Sequence, residues 1–215
     1  MLNVNPYFST FIGQSINPNH KQIEEKMVNR CYELQNIVEK GGKEWISDET
    51  YNTNKTYSVD KDNIFSEVTN YIQKNVYDYM TQTGLDERWI KKEPDDAWFN
   101  IYKQHNFQEF HNHSGCVIST IYFVKCDNTS AKVIFKNPYN DMMSVPSNLN
   151  IVPDDKKRMI ELSGYSIKFQ PISGMLLIFR SHLEHCVEQQ KFDLKKRLSC
   201  SIVLQNCKLD RFYVL

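Results

Sequence analysis

The chain has 215 residues, and its 26 basic residues balance 26 acidic ones, so the formal net charge is zero. This balance argues against general nucleic-acid binding, because domains that bind phosphates usually carry a basic excess. The 12 tyrosines and 12 phenylalanines, together with runs of β-branched residues, favour a β-rich core.

Location is predicted from the N-terminal segment, the apolar runs and the cysteines. The opening "MLNVNPYFSTFIGQ" has neither the basic start nor the long apolar stretch of a secretion signal. No run approaches 18 apolar residues, so no membrane span is expected. The six cysteines form no CxxC pair, and we expect them to be reduced thiols. A cytoplasmic protein with no membrane partner is therefore predicted.

The first predicted element is a helix within residues 17–42. Asn17 or Asn19 can cap its start, and Gly41 and Gly42 are expected to stop it. Its apolar residues recur at steps of three and four, as on the buried side of a helix. They are Ile23, Met27, Cys31, Leu34 and Val38.

A second helix is predicted within residues 62–84, with Gly84 at its end. Residues 43–60 between the two helices are polar and rich in turn formers, which indicates a long loop or an irregular strand. The apolar side of the second helix is predicted to consist of Ile64, Val68, Tyr71, Ile72, Val76 and Met80.

After Pro94 the pattern changes to short runs rich in Val, Ile, Tyr and Phe, which are typical of strands. A long Asn/Pro/Asp-rich segment, 138–164, interrupts them and is a candidate lid, since loops of this length are often functional. Two helices followed by about eight strands predict one α+β domain, mainly β, as a sandwich or barrel. The predicted strands are 97–104, 116–125, 131–137, 165–171, 174–181, 185–189, 197–205 and 211–215.

A candidate metal site begins in the stretch "FHNHSGCVISTIYF". On a strand, residues two apart point to the same face, so His111 and His113 can direct both rings at one point. If the later strand that begins at His185 lies alongside, three imidazoles meet and leave coordination positions open, as non-haem iron requires. The alternative interpretation is a pair of solvated histidines at a strand end.

Arg197 and Ser199 begin another predicted strand, 12 residues after His185. A buried arginine is unfavourable unless it meets an anion, and its forked donors fit a carboxylate. Taken alone, Arg197 also fits a surface position beside two lysines. We interpret His105 and His182 as ordinary histidines near the site entrance, and Glu109 as a weaker candidate ligand.

Three stretches in this order resemble the Fe(II)/2-oxoglutarate-dependent oxygenases of the prolyl-4-hydroxylase-like branch. They are "AWFNIYKQHNFQEFHNHSGCVISTIYFVK", "GMLLIFRSHLEHCV" and "RLSCSIVL", within residues 97–205. The segments "VNPYFSTFIGQSINPNHKQIEEKM" and "GGKEWIS" are similar to the opening of small oxygenases from marine bacteria and their phages. From this resemblance we expect a phage origin, and a phage-encoded protein would act in the cytoplasm of the host.

The resemblance implies a double-stranded β-helix, or jelly roll, over residues 95–215, with residues 1–94 as a helical support region of the same single domain. His111 matches the family's first metal ligand and His185 the distal one, with His113 where most members have Asp or Glu. Replacing that carboxylate by imidazole leaves one more positive charge on the metal.

The resemblance further implies that 2-oxoglutarate is a cosubstrate of this site. Arg197 matches the residue that binds its far carboxylate, and Ser199 or Tyr102 can add a hydroxyl. Tyr122 and Phe123 lie where the branch often has two tyrosines, so Phe123 lacks a hydroxyl that the second one could supply.

The implied activity is Fe(II)- and 2-oxoglutarate-dependent hydroxylation of an unidentified small-molecule or peptide substrate, with decarboxylation of 2-oxoglutarate to succinate. One alternative is a cupin-type three-histidine dioxygenase that uses no 2-oxoglutarate, for which Arg197 would have no purpose. Another is a non-catalytic jelly-roll binding or virion module. The oligomeric state is not predicted.

Overall fold

The computed structural model describes residues 10–47, 49–85, 96–139, 165–191 and 199–208. Within them, strands outnumber helices and pair antiparallel in two sheets, which confirms the α+β, mainly β class. The helices are α1 (His20–Ile37) and α2 (Ser66–Thr83). The strands are β1 (Ile12–Ile16), β2 (Tyr51–Asn52), β3 (Asp96–Tyr102), β4 (Gln108–His111), β5 (Cys116–Lys125), β6 (Val133–Lys136), β7 (Ser166–Phe169), β8 (Met175–Arg180), β9 (His185–Val187) and β10 (Ser199–Lys208).

The two sheets differ in size and in strand order. The larger has the strand order β1-β8-β5-β10-β3-β2, and the smaller has the order β4-β9-β6-β7. The N-terminal region therefore supplies two strands, β1 and β2, besides its two helices. The edge strand β4 ends at His111, one of the candidate metal ligands.

Strand β5 lies inside the larger sheet and separates two apolar cores. Ile121 and Phe123 pack towards the smaller sheet, in one cluster with Val133 and Phe135. Tyr122, from the alternate position, belongs to the other cluster, which contains the buried sides of both helices. Alternation along β5 thus places one core between the sheets and the other beneath the helices.

Helix α1 buries four of the five predicted apolar residues but is shorter than expected, so that Val38 lies beyond its end and is only partly buried. It ends at Ile37, where Val38 takes an extended conformation, so the prediction that Gly41 and Gly42 stop it is wrong. Asn19 is at the N-cap position, but its side chain makes no capping bond. The Asn17 side-chain oxygen instead accepts a hydrogen bond from the backbone N–H of Asn19, at 3.0 Å.

Helix α2 ends as predicted, with Gly84 in the left-handed region at φ 70°. Its start differs from the prediction, because a 3-10 turn over Asn63–Phe65 precedes Ser66. Ile64 lies in that turn and is 37% exposed, so it does not belong to the buried helix face. The Asp62 carboxylate accepts the Ile64 N–H at 2.9 Å and thereby fixes the turn.

The predicted strands from 97–104 to 197–205 all match observed strands, and 116–125 does so at both ends. The candidate strand 211–215 and residues 140–164 of the candidate lid lie outside the described residues. In the described part of the chain, Cys31 and Cys186 are free thiols. None of the helices seen there is both long enough and apolar enough to cross a membrane.

Candidate metal centre

Two histidines meet at the edge of the smaller sheet. His111 is the last residue of β4 and His185 the first of β9, and the two are direct partners in the antiparallel register. Their ring centroids are 4.3 Å apart. The predicted adjacency of these two strands is therefore confirmed.

His113 reaches the same point by a different route from the one predicted. It lies beyond the end of β4, in a turn that continues through Gly115 at φ 85° to the start of β5. Its backbone N–H donates to the Ser181 carbonyl at 2.9 Å, just after β8. The turn, rather than strand alternation, brings its ring to 5.1 Å from those of His111 and His185.

The three side chains form a group that can hold a metal ion. One ligand atom from each of His111, His113 and His185 lies within 4.8 Å of the others. Small side-chain rotations are enough for three imidazole nitrogens at this separation to surround one ion, at the distance of about 2.1 Å typical of metal–imidazole bonds.

Backbone carbonyls set the tautomer of two of these rings. His111 Nδ1 is 2.8 Å from the Glu109 carbonyl oxygen, and His185 Nδ1 is 3.0 Å from that of Leu183. A carbonyl only accepts, so each Nδ1 carries the proton and donates it. The lone pair of each neutral ring is then on Nε2, the arrangement usual for metal-binding histidines.

Burial keeps these imidazoles neutral. It lowers the pKa of His113 to about 2, with further lowering by His185 and His111. Burial, followed by the nearby His111, lowers the pKa of His185 to about 3. The pKa of His111 is also lowered by burial, although Glu109 opposes the shift. All three rings are therefore in the uncharged form that binds metals at neutral pH.

Aromatic rings surround the group. The Phe135 ring stacks on His185 at a centroid distance of 5.5 Å, and Phe179 meets the same ring edge-on at 4.7 Å. Trp98 lies edge-on to His113 at 5.9 Å. These contacts limit the rotation of the imidazoles and give the site a low dielectric constant, which strengthens the attraction between a bound cation and its ligands.

Glu109 is not part of the ligand group. Its carboxylate accepts hydrogen bonds from the backbone N–H groups of Ile46 and Ser47, at 2.9 and 3.3 Å. It thus holds the segment before β2 against β4. The donor set among the described residues is therefore three neutral nitrogens, a combination that suits Fe(II), and the residues present fit an iron ion.

A pocket beside the histidines runs between the two sheets. Among the described residues, its wall carries no Asp, Glu, Lys or Arg side chain. Apolar and aromatic groups dominate, with a few neutral polar ones. The wall consists of Trp45, Trp98, Asn100, Tyr102, Gln108, His111, Ile121, Phe123, Ala131, Val133, Pro171, His185 and Val187.

The structure describes two of the three residues predicted to bind the cosubstrate. Tyr102 is buried and lines the pocket. Ser199 is the register partner of Tyr102 where β10 pairs with β3. Arg197, two residues earlier, lies outside the described residues.

Of the other residues discussed in the sequence analysis, Phe123 lines the pocket, whereas Tyr122, His105 and His182 do not. Phe123 lines the pocket, whereas the Tyr122 hydroxyl lies on the helical side, where Asn17 donates to it at 3.1 Å. A tyrosine hydroxyl from this pair is therefore not available at the pocket. His105 and His182 are exposed and do not line it.

Sequence reasoning missed four polar or aromatic wall residues: Trp45, Trp98, Asn100 and Gln108. Trp45 had no local signal. Its segment is held at the site by a hydrogen bond to the Glu109 carboxylate, which lies more than 60 residues later in the chain. Trp98 and Asn100 could have been found, since they share a strand face with Tyr102 at two-residue steps.

Comparisons with known proteins agree with this geometry. A family model described as "Putative 2OG-Fe(II) oxygenase" matches residues 96–202, about half of the chain, and includes all three histidines. No curated protein matches the chain.

Several solved structures share the fold at very low sequence identity. A prolyl-4-hydroxylase from Pseudomonas putida superposes with a TM-score of 0.54 and 10% identity, covering 93% of this chain and 94% of that one. A prolyl hydroxylase from Trichoplax adhaerens, in complex with a hypoxia inducible factor peptide fragment, gives 0.58 and 11%, covering 92% and 83%. HygX from Streptomyces hygroscopicus, with nickel, 2-oxoglutarate and hygromycin B bound, gives 0.50 and 7%, covering 91% and 83%.

Proposed function

The chain belongs to the 2OG-Fe(II) oxygenases, and we propose that His111, His113 and His185 hold its iron while Arg197 binds the far carboxylate of 2-oxoglutarate. Ser199 and Tyr102 are our candidates for an assisting hydroxyl. Together with O2, the bound iron and 2-oxoglutarate supply oxidative chemistry, in which 2-oxoglutarate is decarboxylated to succinate and a substrate C–H bond is hydroxylated.

The single observation that carries this proposal is the convergence of three neutral imidazoles beside the pocket between the sheets. Three protein ligands leave positions on the ion for other molecules, which a catalytic metal needs and a purely structural one does not. A virion or binding module would have no need of such a group.

The protein's own residues contribute binding, orientation and exclusion of water. The carbonyl groups of Glu109 and Leu183 orient two of the ligand rings through Nδ1. Phe135 and Phe179 enclose His185, which is 2% exposed, and keep solvent from that side. Such surrounding contacts commonly change metal affinity by about 10- to 100-fold when they are lost.

We propose that all 215 residues form one oxygenase domain, with 1–94 supporting the jelly-roll core, and that it acts in the cytoplasm. Its substrate is a small molecule or a peptide. The Trichoplax adhaerens relative in complex with a peptide fragment supports the peptide class, and HygX with hygromycin B supports the small-molecule class. The likeness to enzymes of marine bacteria and phages stays a prediction from the N-terminal sequence.

The test of this function is binding and turnover by the anaerobically purified protein. Fe(II) together with 2-oxoglutarate should give a metal-to-ligand charge-transfer band, and admission of O2 should yield succinate. A band that requires both components separates this enzyme from a cupin-type dioxygenase. Iron binding without any band or succinate would contradict the proposal.

The His113→Asp variant is expected to retain Fe(II) and to keep or raise the turnover of 2-oxoglutarate. Aspartate restores the carboxylate that most of the family has at this position, and its charge offsets part of the charge of the ion. Elemental analysis of iron and a succinate assay check both parts of this prediction. His113→Ala is the contrast, and its Fe(II) affinity should fall at least about tenfold. An unchanged affinity in His113→Ala would remove His113 from the ligand set.

A further inference from the structure

The side chain of Gln108 lines the pocket and has a fixed amide orientation. It is 5% exposed, and its Nε2 donates to Glu109 Oε2 at 2.9 Å. The same Glu109 carboxylate accepts the backbone N–H groups of Ile46 and Ser47, at 2.9 and 3.3 Å. A carboxylate that accepts from two N–H groups also accepts from the third, so the amide nitrogen of Gln108 faces Glu109. The amide oxygen of Gln108 is therefore the atom left for another partner.

That oxygen is an acceptor that the fold itself leaves unused. Gln108 Oε1 is buried and has no hydrogen-bond partner within the described part of the chain. Unpaired buried polar atoms are rare in native proteins because they lose their hydration without compensation. At the wall of a pocket, a ligand is the natural source of the missing donor.

Trp98 adds a donor to the same wall. Its indole Nε1 is also buried without a partner among the described residues, and the side chain is 3% exposed. The ring of Trp45 lies 6.4 Å from that of Trp98 and adds apolar surface at this side of the pocket. Asn100 Oδ1 on the same wall is likewise buried without a partner among the described residues, so this wall offers two unpaired acceptors, one unpaired donor and apolar surface.

2-Oxoglutarate cannot donate a hydrogen bond to the amide oxygen of Gln108. Its two carboxylates and its ketone have no hydrogen-bond donor at neutral pH, so an unpaired amide oxygen would only repel it. The donor must come from another molecule, and in the oxygenase proposed above, on which this step depends, that molecule is the primary substrate. The lack of charged side chains on the described wall favours a neutral group, because an ion would lose its hydration there without a partner.

We propose that Gln108 and Trp98 form a recognition subsite for the primary substrate. The substrate presents to it a neutral group that both donates and accepts a hydrogen bond, as an amide or a hydroxyl does. Gln108 Oε1 accepts from this group, Trp98 Nε1 donates to it, and the apolar part of the substrate packs against Trp45.

The experiment uses benzamide as the probe, because it combines a planar apolar ring with an amide. The ¹⁵N-labelled protein is loaded with Zn(II), a diamagnetic substitute for iron, and with 2-oxoglutarate. The indole N–H signals of the three tryptophans are then followed by NMR during titration. Benzamide should shift the Trp98 signal, which a Trp98→Phe variant assigns. N,N-Dimethylbenzamide, which keeps the carbonyl but cannot donate, should bind roughly tenfold more weakly.

The Gln108→Met variant provides the decisive comparison, because methionine is of similar length and lacks the amide. It should bind benzamide roughly tenfold more weakly than the wild type and lose the preference over N,N-dimethylbenzamide. Its thermal unfolding and Zn(II) affinity should match those of the wild type. A preference that persists in Gln108→Met, equal binding of the two probes to the wild type, or no shift of the Trp98 signal would each overturn the subsite.

The same Gln108→Met protein, loaded with Fe(II) and 2-oxoglutarate, separates this inference from the function on which it rests. Its charge-transfer band should equal that of the wild type, since Gln108 is not a metal ligand. In the wild type, a normal band without a preference for benzamide over N,N-dimethylbenzamide would refute the subsite alone. Absence of the band from the wild type would refute the proposed function, whatever benzamide does.

Discussion

In the His185→Ala variant, the affinity for Fe(II) should fall by on the order of 100-fold or more while the fold persists. Loss of a residue that only orients a metal ligand already costs about 10- to 100-fold, and this change removes a ligand itself. His185 stands opposite His111 in the sheet register and is almost fully buried, so no exposed neighbour can replace it. Elemental analysis of iron and an Fe(II) titration check the prediction.

Two further variants keep this result interpretable. His182→Ala removes an exposed histidine three residues away and should leave iron binding unchanged. Because alanine leaves a cavity beside Phe135 and Phe179, His185→Ala itself should lose stability, by about 2–4 kcal/mol. The bulkier His185→Gln should bind iron weakly with a smaller loss of stability. Full iron occupancy in folded His185→Ala would refute the assignment of this ligand.

The Arg197→Ala variant should lose at least about 30-fold in affinity for 2-oxoglutarate, with iron binding retained. If Arg197 pairs with the far carboxylate in a partly desolvated site, removing it leaves that anion unpaired, which costs about 2–5 kcal/mol. The described pocket wall offers no other cationic side chain to take its place. Arg197→Lys should recover only part of the affinity, because an ammonium group cannot make two parallel hydrogen bonds.

The measurement is an anaerobic titration of the Fe(II)-loaded proteins with 2-oxoglutarate, following the charge-transfer band. Lys196→Ala, one residue earlier in the chain, is the matched control and should bind 2-oxoglutarate like the wild type. Equal affinities in wild type and Arg197→Ala would remove Arg197 from the site. They would also favour an oxygenase that does not bind 2-oxoglutarate through this residue.

The elements with strong periodicity were predictable from the sequence, but only some of their ends were. Strand β5 was predicted at both ends, because ten consecutive residues with a Val/Ile/Tyr-rich pattern leave little alternative. The end of α1 was missed because the backbone turns at Val38, four residues before the second of the two glycines that would normally mark such a stop. Helix ends depend on tertiary contacts that local rules do not include.

The convergence of the three histidines was predictable from the sequence, but the pocket beside them was not. His111 and His185 follow from spacing and the order of motifs, and the register of β4 with β9 confirms that they are neighbours. The contribution of Trp45 depends on a hydrogen bond between segments more than 60 residues apart, which no local pattern encodes. The unpaired amide oxygen of Gln108 was likewise not predictable. It is unpaired because the amide nitrogen faces the Glu109 carboxylate, whose orientation depends on the fold.

The position of His113 links metal occupancy to folding. His111 and His185 belong to the smaller sheet, whereas the backbone of His113 is bonded to Ser181, which directly follows β8 of the larger sheet. An ion shared by all three side chains would therefore join the two layers beside the pocket. Any unfolding step that separates the layers must first release that ion, so free metal raises the free energy of unfolding by mass action, by about 2.7 kcal/mol at 100 times the dissociation constant. The metal ion would thus act as a reversible cross-link between the two sheets. We expect the sheets to separate more often in the metal-free protein than in the metal-bound protein.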